Sequence, residues 1–246
     1  MKRPPLARVL LRLFTLQGSW NYERLQGVGF AVAEEPLLRD LGGGRGEREY
    51  RAALARGARL FNAHPYLGGM AVGAVARAEH DGIEPAQIER LRLALGGPLG
   101  SLGDRLVWAE WLPLNAALML IGVALGWGWW AVVGFLALYN LGHVWLRAWA
   151  LKAGWSRGHR VVEALREPAL QRADALFGVA TPLAVGAALP LTAAYLASPF
   201  PGWARLAVAG IAAAGLGLLQ WRRALTGLRF GLGVLAVSLV VGWVWR

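Results

Sequence analysis

The sequence contains no cysteine, which excludes a disulfide framework, a thiolate zinc site and a cysteine nucleophile. Acidic residues are scarce, since 15 Asp and Glu oppose 26 Lys and Arg. The alternating apolar and polar pattern of half-buried strands is absent, so the chain is predicted to be all-helical. The four histidines lack the paired spacing that places two ligands on one helix face, so no metal site is predicted.

Apolar residues, by contrast, are abundant. They make up 56% of the 246 residues, with thirteen tryptophans and a positive mean hydropathy of +0.41, which indicates an integral membrane protein. The formal net charge of +11 does not form a basic patch beside exposed aromatic residues, so no nucleic-acid partner is predicted. Residues 111–246 hold eleven basic and three acidic side chains between hydrophobic runs, as expected for loops retained in the cytoplasm.

The second half of the chain is predicted to form a transmembrane helix bundle. Between residues 112 and 151 the only ionisable side chains are His143 and Arg147, and a tryptophan-rich turn at 126–130 divides this run into a hairpin. Further apolar runs cover residues 175–197, 206–221 and 230–245. The basic loop at 152–172 suits the cytoplasmic side, and the uncharged turn at 198–203 suits the outer side. This arrangement predicts a multi-pass membrane protein.

The first half is predicted to consist of amphipathic and broken or re-entrant helices. Residues 6–14 read as a surface helix whose arginines face anionic lipid, because a signal peptide would not carry an arginine every turn. Residues 47–60 read as an amphipathic helix, and Pro85 suits the first turn of a helix outside the hydrocarbon that ends near Leu95. The predicted division is therefore residues 1–110, broken and amphipathic, and residues 111–246, transmembrane.

Two segments are predicted to interrupt these helices. In residues 61–66 (FNAHPY), Pro65 forces His64 out of the α region, so a helix must break there. Residues 96–104 (GGPLGSLGD) contain four glycines and a proline, which predicts a flexible loop that backbone or ligand can approach closely. These two interruptions are the predicted location of a binding site.

Several polar residues near these segments have a structural as well as a functional interpretation. Ser19 or Asn21 can cap a helix or line a polar site, and Asp104 can cap a following helix or bind a ligand. His64 can act as a general base, although a lone histidine at a break more often satisfies a hydrogen bond. Asn140, His143 and Arg147 share one face of a nearly uncharged span, where polar groups usually face a bundle interior or a cavity.

No catalytic residue and no cofactor are predicted. The glycine-rich segment lacks the lysine followed by serine or threonine, and the preceding strand, of a phosphate-binding loop. The chain also offers no convincing nucleophile, metal cluster or carboxylate pair, so an unrelated membrane enzyme is the least favoured function.

Three motifs in order resemble one known family. Residues 17–26 (QGSWNYERLQ), 61–67 (FNAHPYL) and 97–104 (GPLGSLGD) are similar to motifs of the IID subunit of the mannose/fructose/sorbose family of the phosphoenolpyruvate-dependent sugar phosphotransferase system. Tyr139, Asn140 and Arg147 echo a fourth. The sequence departs from the usual pattern at Leu25, Ala63 and Gly96, and its second half is shorter than in typical relatives.

The resemblance implies a permease subunit that pairs with a IIC subunit and binds and translocates a hexose in oligomers of IIC–IID pairs. Cytoplasmic IIA and IIB components would carry the phosphoryl group, so none is expected on this chain. The alternative is a non-transporting regulatory or assembly subunit derived from the same family. The residues predicted to bind sugar, through hydrogen bonds and an aromatic face, are Trp20, Asn21, Glu23, Arg24, Gln26, Asn62, His64, Tyr66, Asp104 and Asn140.

Overall fold

The computed structural model describes residues 4–41, 47–199, 201 and 203. Across these ranges all regular structure is helical, apart from isolated bridge pairs, which confirms the all-α prediction. The chain divides into two compact units, Met1–Thr192 and Ala193–Arg246. The apolar runs predicted at 206–221 and 230–245 lie outside the described residues. The helices are α1 (Leu6–Leu13), α2 (Gly27–Leu38), α3 (Arg48–Gly57), α4 (Gly68–His80), α5 (Pro85–Gly103), a π-helical segment (Asp104–Trp111), α6 (Leu112–Ala124), α7 (Trp129–Arg157), a 3-10 segment (Gly158–Arg166) and α8 (Pro168–Ala197).

Two helical stretches among the described residues are long and apolar enough to cross a membrane, Pro85–Ala124 and Trp129–Leu196. Crossing about 30 Å of hydrocarbon takes roughly 20 helical residues. The helices α6 and α7 meet at a turn in which Gly126 and Gly128 have φ angles of 87° and 56°, values that favour glycine. Trp127 and its neighbours are exposed at this turn, which confirms the predicted hairpin and its tryptophan-rich end.

The helix α1 packs on protein, which corrects its prediction as a lipid-facing surface helix. Val9 and Leu13 are buried in the core. Arg12 does not point to lipid, because its Nη1 donates to the carbonyl of Val32 and to the carboxylate of Glu35, each at 2.8 Å. Arg12 of α1 is therefore paired with α2, whereas Arg8 is exposed. The sequence of α1 alone does not reveal the acidic partner Glu35.

Glycines bring the backbones of α4 and α7 together. A Cβ atom on Gly73 would lie 2.6 Å from the Leu151 carbonyl oxygen and from the Trp155 nitrogen. A Cβ atom on Gly154 would lie 3.0 Å from the Ala74 nitrogen and closer still to the Met70 carbonyl oxygen. Side chains larger than glycine cannot occupy these positions without separating the helices, as in small-residue packing of membrane helices. This contact fixes α4 against the C-terminal part of α7.

The predicted loop at residues 96–104 is wrong, because residues 96–103 complete α5 and the helix continues through the π segment into α6. The predicted helix end near Leu95 is wrong for the same reason. Leu95 and Leu99 are buried on one face of α5, so packing outweighs the low helix propensity of the glycines. Two of these glycines are needed by the tertiary structure, since a Cβ on Gly96 would lie 2.8 Å from the Asn62 carbonyl oxygen and one on Gly103 would lie 2.7 Å from His64 Nδ1.

Two residues for which helix capping was one of two interpretations do not cap a helix. Asp104 has helical angles, φ −61° and ψ −43°, and makes no capping hydrogen bond, because the helix passes through it. Asn21 does not begin a helix, since α2 starts only at Gly27. The amphipathic helix predicted at 47–60 is confirmed as α3, and the predicted break at residues 61–66 is confirmed as irregular backbone between α3 and α4.

Buried charges lie where α2, α3, α4 and α5 meet. Arg56 of α3 donates from Nε and Nη2 to the two carboxylate oxygens of Glu79 in α4, at 2.9 and 2.5 Å. The Glu34 carboxyl of α2 is fully buried, and both of its oxygens lack a hydrogen-bond partner in the described part of the chain. Burial, reinforced by the charge of Glu79, raises the pKa of Glu34 well above its usual value, although Arg92 and Arg56 oppose the shift. Burial therefore favours the neutral acid form of Glu34.

Candidate functional site

The break at residues 61–66 is joined to the segment at 17–26 by backbone pairing. Leu25 and Phe61 form a parallel bridge, in which the Gln26 N–H donates to the Phe61 carbonyl at 2.9 Å and the Phe61 N–H donates to the Arg24 carbonyl at 3.2 Å. The two motifs are 35 or more residues apart in sequence and yet lie side by side. The sequence order alone does not reveal this pairing.

The side chain of Gln26 stabilises the break at residues 61–66 through hydrogen bonds to its backbone. Its Nε2 donates to the Ala63 carbonyl at 2.7 Å, and its Oε1 accepts from the Ala63 N–H at 3.1 Å. Gln26 is 2% exposed, so these bonds satisfy backbone groups that the break leaves without helical partners. Gln26 thus supports the shape of the site, and its amide has no free face for a ligand.

Residues 21–25 form a tight loop. The Leu25 N–H donates to the Asn21 carbonyl at 2.8 Å, and the Asn21 Oδ1 accepts from the N–H groups of Glu23 and Arg24 at 3.1 and 2.8 Å. Leu25 has a φ angle of +52°, a left-handed conformation that costs a non-glycine residue about 1–2 kcal/mol. Such strain persists only where surrounding contacts impose it, and it is concentrated at functional sites.

The loop presents its other side chains to the surroundings. Tyr22 is 92% exposed and packs edge to face on Trp20 with ring centroids 5.0 Å apart. Glu23 and Arg24 form an exposed ion pair at 3.5 Å. Such a pair contributes little to stability. The strained loop therefore exposes an aromatic pair and two charged side chains that contribute little to the stability of the fold.

His64 lies at the centre of the break and is 2% exposed. Its Nδ1 accepts the Tyr66 N–H at 3.3 Å, so the ring proton resides on Nε2, which has no partner among the described residues. Burial lowers the pKa of His64 to about 4, with the nearby charge of Asp104 opposing and that of Arg147 reinforcing the shift. At neutral pH His64 is therefore an uncharged ring with one free N–H donor.

An aromatic and polar cluster extends from His64 toward α7. The Tyr66 hydroxyl lies 2.9 Å from that of Tyr139, and its ring stacks on His143 with centroids 4.9 Å apart. His143 Nε2 lies 3.1 Å from Asn140 Oδ1. This arrangement links the break to the polar face that the sequence predicted on the span containing Asn140.

Arg147 anchors the break to two helices. Its Nη1 donates to the carbonyls of Leu13 and Pro65, at 2.8 and 2.9 Å. The guanidinium carbon lies 4.5 Å from the Tyr66 ring centroid and 5.0 Å from that of Phe14, which are cation–π distances. A buried charge is tolerated here because carbonyls and aromatic faces surround it.

A cavity of about 230 Å³ opens beside Tyr66 and His143, between the π segment, α7 and α8. Its walls are mainly apolar and aromatic, including Trp111, Trp145 and Phe177. It is smaller than a typical ligand pocket, which spans roughly 300–1,000 Å³. The cluster therefore has polar groups on one side of Tyr66 and an apolar space on the other.

The ten predicted binding residues fall into four groups. Asn21, Glu23 and Arg24 belong to the strained loop and Trp20 directly precedes it, whereas Gln26 binds the backbone of the break. His64 and Tyr66 lie in the cluster together with Asn140, whereas Asn62 and Asp104 are exposed beside it. The structure adds residues that sequence reasoning did not select as ligands: Trp108, Tyr139, His143 and Arg147 contact His64 or Tyr66. Arg147 and His143 carried a sequence signal as ionisable groups within an apolar span, and Tyr139 carried one as part of the fourth motif.

The fold and the site define a helical membrane protein with a proline-broken polar segment buried against its spans. A family model, the PTS system mannose/fructose/sorbose family IID component, matches residues 1–196. The chain belongs to this family, which confirms the resemblance carried by the three motifs, and it is a membrane protein.

Individual relatives agree. The mannose-specific EIID component of Escherichia coli K12 is 30% identical over 169 residues, which is 67% of this chain and 59% of the relative. The fructose permease IID component of Bacillus subtilis 168 is 29% identical over 169 residues, 67% of this chain and 60% of the relative. The sorbose-specific EIID component of Lacticaseibacillus casei is 30% identical over 161 residues, 63% of this chain and 56% of the relative. The chain thus matches about three fifths of the length of these curated relatives.

Two solved structures share the fold. One membrane protein superposes with a TM-score of 0.71 at 22% identity, over 96% of this chain and 94% of its own. The mannose transporter ManYZ, solved by cryo-EM in complex with microcin E492 (MceA), superposes with a TM-score of 0.60 at 23% identity, over 98% of this chain and 96% of its own. These likenesses confirm the helical membrane architecture.

Proposed function

We propose that this chain is the IID subunit of a sugar-specific phosphotransferase permease. Together with a IIC subunit in the bacterial inner membrane, it binds a hexose and translocates it for phosphorylation by a cytoplasmic IIB component, which is recharged by IIA. The chain itself carries no phosphoryl group. It contributes polar groups, a stacking surface and part of the translocation path within an oligomer of IIC–IID pairs.

The observation that carries the proposal is the break at residues 61–66. It is irregular backbone packed against membrane-spanning helices, and its His64 Nε2–H is buried without a partner in the described structure. A buried donor left unpaired costs about 1–3 kcal/mol, and a sugar hydroxyl accepting from it recovers that cost. Helix breaks beside membrane spans are where transporters bind polar substrates.

The surroundings of the break also suit a sugar. Trp20 offers an exposed aromatic ring, and Tyr66 offers a hydroxyl within the cluster. Asn62 and Glu23 have exposed polar groups on the two paired segments. A pyranose ring needs several fixed hydrogen-bond partners and one apolar face. A IIC subunit that covers these exposed groups would complete the site and exclude water from it.

The test is uptake of a labelled sugar by cells that co-express this chain with its neighbouring IIC, IIB and IIA genes. We expect Asn62→Ala and Glu23→Gln each to reduce phosphoenolpyruvate-driven uptake by about tenfold or more. Each substitution removes one hydrogen bond to the sugar, and the loss of a hydrogen bond to a charged or polar partner has about this effect on affinity. Both residues are exposed, so membrane insertion should be unchanged.

Gln87→Ala is the matched control, because Gln87 is an exposed amide near the start of α5, away from the break. Normal uptake in Asn62→Ala and Glu23→Gln would refute the site. If wild type assembles with IIC but gives no uptake of any hexose, the chain is a non-transporting regulatory or assembly subunit instead.

A further inference from the structure

A groove of about 650 Å³ lies between α3 and the start of α5, away from the break. Its floor is small and apolar, formed by Ala52 and Ala55 on one side and by Pro85 and Ala86 on the other. Charged side chains surround this floor. Nothing in the proposed sugar site uses the groove.

The groove carries uncompensated positive charge. Two charged residues of the groove form ion pairs within the chain. Arg56 pairs with Glu79, and Glu89 pairs with Arg92 at 2.9 Å. The guanidinium groups of Arg59 and Arg90, which also line it, are exposed and have no partner in the described part of the chain. The groove therefore presents two free arginines over an apolar floor, with its one carboxylate already engaged.

Contacts along α4 place the groove at one end of the bundle. Glu79, which pairs with Arg56, lies in the last turn of α4, beside the Arg77–Asp81 pair at 2.8 Å. A Cβ atom on Gly158, the residue that follows α7, would lie 3.0 Å from Arg77 Cγ. The groove is thus at the end of α7 that leads into the basic stretch at 152–172, which is helical and not the predicted loop. The positive-inside rule assigns that end to the cytoplasm.

The length of α5 separates the groove from the lipid. The helical stretch Pro85–Ala124 has 40 residues, and its apolar part from Leu106 onward accounts for one crossing of the hydrocarbon. The remaining residues, from Arg105 back to Pro85, extend about 30 Å at 1.5 Å per residue. Taking Leu106 as the edge of the hydrocarbon, the start of α5 lies more than about 20 Å from that edge even at a tilt of about 40°. The polar headgroup layer is only about 5–7 Å thick on each side.

From this geometry we propose that the groove docks an acidic surface segment of the soluble cytoplasmic phosphocarrier that delivers the phosphoryl group. Carboxylates of that segment pair with Arg59 and Arg90, and a small apolar side chain between them packs on the alanine and proline floor. Arginine suits such contacts because its planar fork binds a carboxylate through two hydrogen bonds. The inference rests on the proposed function, since it assigns the docking surface for the IIB component.

The experiment measures binding of purified IIB, from the neighbouring gene, to the IIC–IID complex in nanodiscs of neutral phosphatidylcholine. The test variant is Arg59→Glu with Arg90→Glu, and the matched control is Arg48→Glu with Arg51→Glu. The control makes the same charge change on exposed residues of α3 outside the groove. We expect Kd to rise about tenfold or more for the test variant, because two exposed ion pairs are replaced by repulsion. The control should change it less than threefold.

The remaining outcomes separate the two levels of inference. Equal IIB binding by wild type, test and control variants overturns the groove while leaving the permease function standing. Failure of IIB to bind even the wild-type complex refutes the proposed function as well. The test variant can also be compared with wild type by thermal stability in nanodiscs containing anionic lipid. If the test variant changes thermal stability only in those nanodiscs, the groove binds lipid headgroups, and the protein-docking proposal is overturned. If the double variant does not assemble, Arg90→Gln, a single neutral change, must still weaken binding about threefold.

Discussion

Replacing Gly103 by alanine tests the packing on which the site depends. The added Cβ would lie 2.7 Å from His64 Nδ1 and closer still to His64 Cβ and Cγ, where ordinary carbon contacts are about 3.5–4.0 Å. His64 cannot retreat easily, because it is buried and its Nδ1 accepts the Tyr66 N–H. The break must therefore move away from α5, at the cost of overpacking, about 1–3 kcal/mol.

Gly100→Ala provides the control in the same helix. No atom lies within 4 Å of a Cβ built on Gly100, so the substitution only removes the poor helix propensity of glycine and should stabilise by up to about 1 kcal/mol. The same helical gain accompanies Gly103→Ala, but there it is opposed by the clash. The two alanine variants should therefore differ in stability by about 1–3 kcal/mol, with Gly103→Ala the less stable.

Thermal unfolding of the purified protein measures this difference. For a unit of roughly 200 residues, 1 kcal/mol shifts Tm by about 2–4 °C, so we expect Gly103→Ala to unfold several degrees below Gly100→Ala. Sugar uptake in the co-expressed complex should fall in parallel for Gly103→Ala only. Equal Tm values for the two variants would refute the close approach of α5 to His64.

Two other substitutions probe buried charge. The folded pKa of Glu34 lies above the unfolded value of 4.5, so the free energy of unfolding of the wild type should fall as pH rises from about 4.5 through the folded pKa. Glu34→Gln should abolish this pH dependence in unfolding scans. An unchanged pH dependence would exclude Glu34 as its source. Arg147→Met should lower stability by about 3 kcal/mol or more, since the Leu13 and Pro65 carbonyls each lose a charged donor; a Tm within about 2 °C of wild type would contradict the anchoring role.

The prediction of the break succeeded because its cause is local. Pro65 restricts the backbone of His64 whatever surrounds it, so the irregular segment is visible in the sequence. The hairpin of α6 and α7 was predictable for a similar reason, since apolar length and a turn with glycines are local properties. The motifs then identified the family from residue order alone.

The prediction of a loop at residues 96–104 failed because the cause of the glycines is not local. Position 103 requires glycine because His64 packs against it, and position 96 requires glycine because the Asn62 backbone packs against it. Both partners come from a segment more than 30 residues earlier in the sequence. Glycine in a sequence indicates either a flexible backbone or a close approach. Only the tertiary structure distinguishes the two.

The predicted ligands show the same limit for polar groups. Gln26 resembles a sugar-binding amide in sequence, yet its two polar atoms bind the Ala63 backbone. Arg12 resembles a lipid-facing charge, yet it pairs with Glu35. Residue type gives the capacity to form a hydrogen bond, whereas the partner depends on the fold.

The glycine contact between α4 and α7 has a mechanical consequence. The backbones of α4 and α7 are in direct contact at Gly73 and Gly154. No flexible side chains separate the two helices there, so α4 and α7 form one rigid unit. One end of that unit carries the proline break and the other carries the turn beside the arginine groove. A displacement of either helix relative to the other would require their backbones to separate.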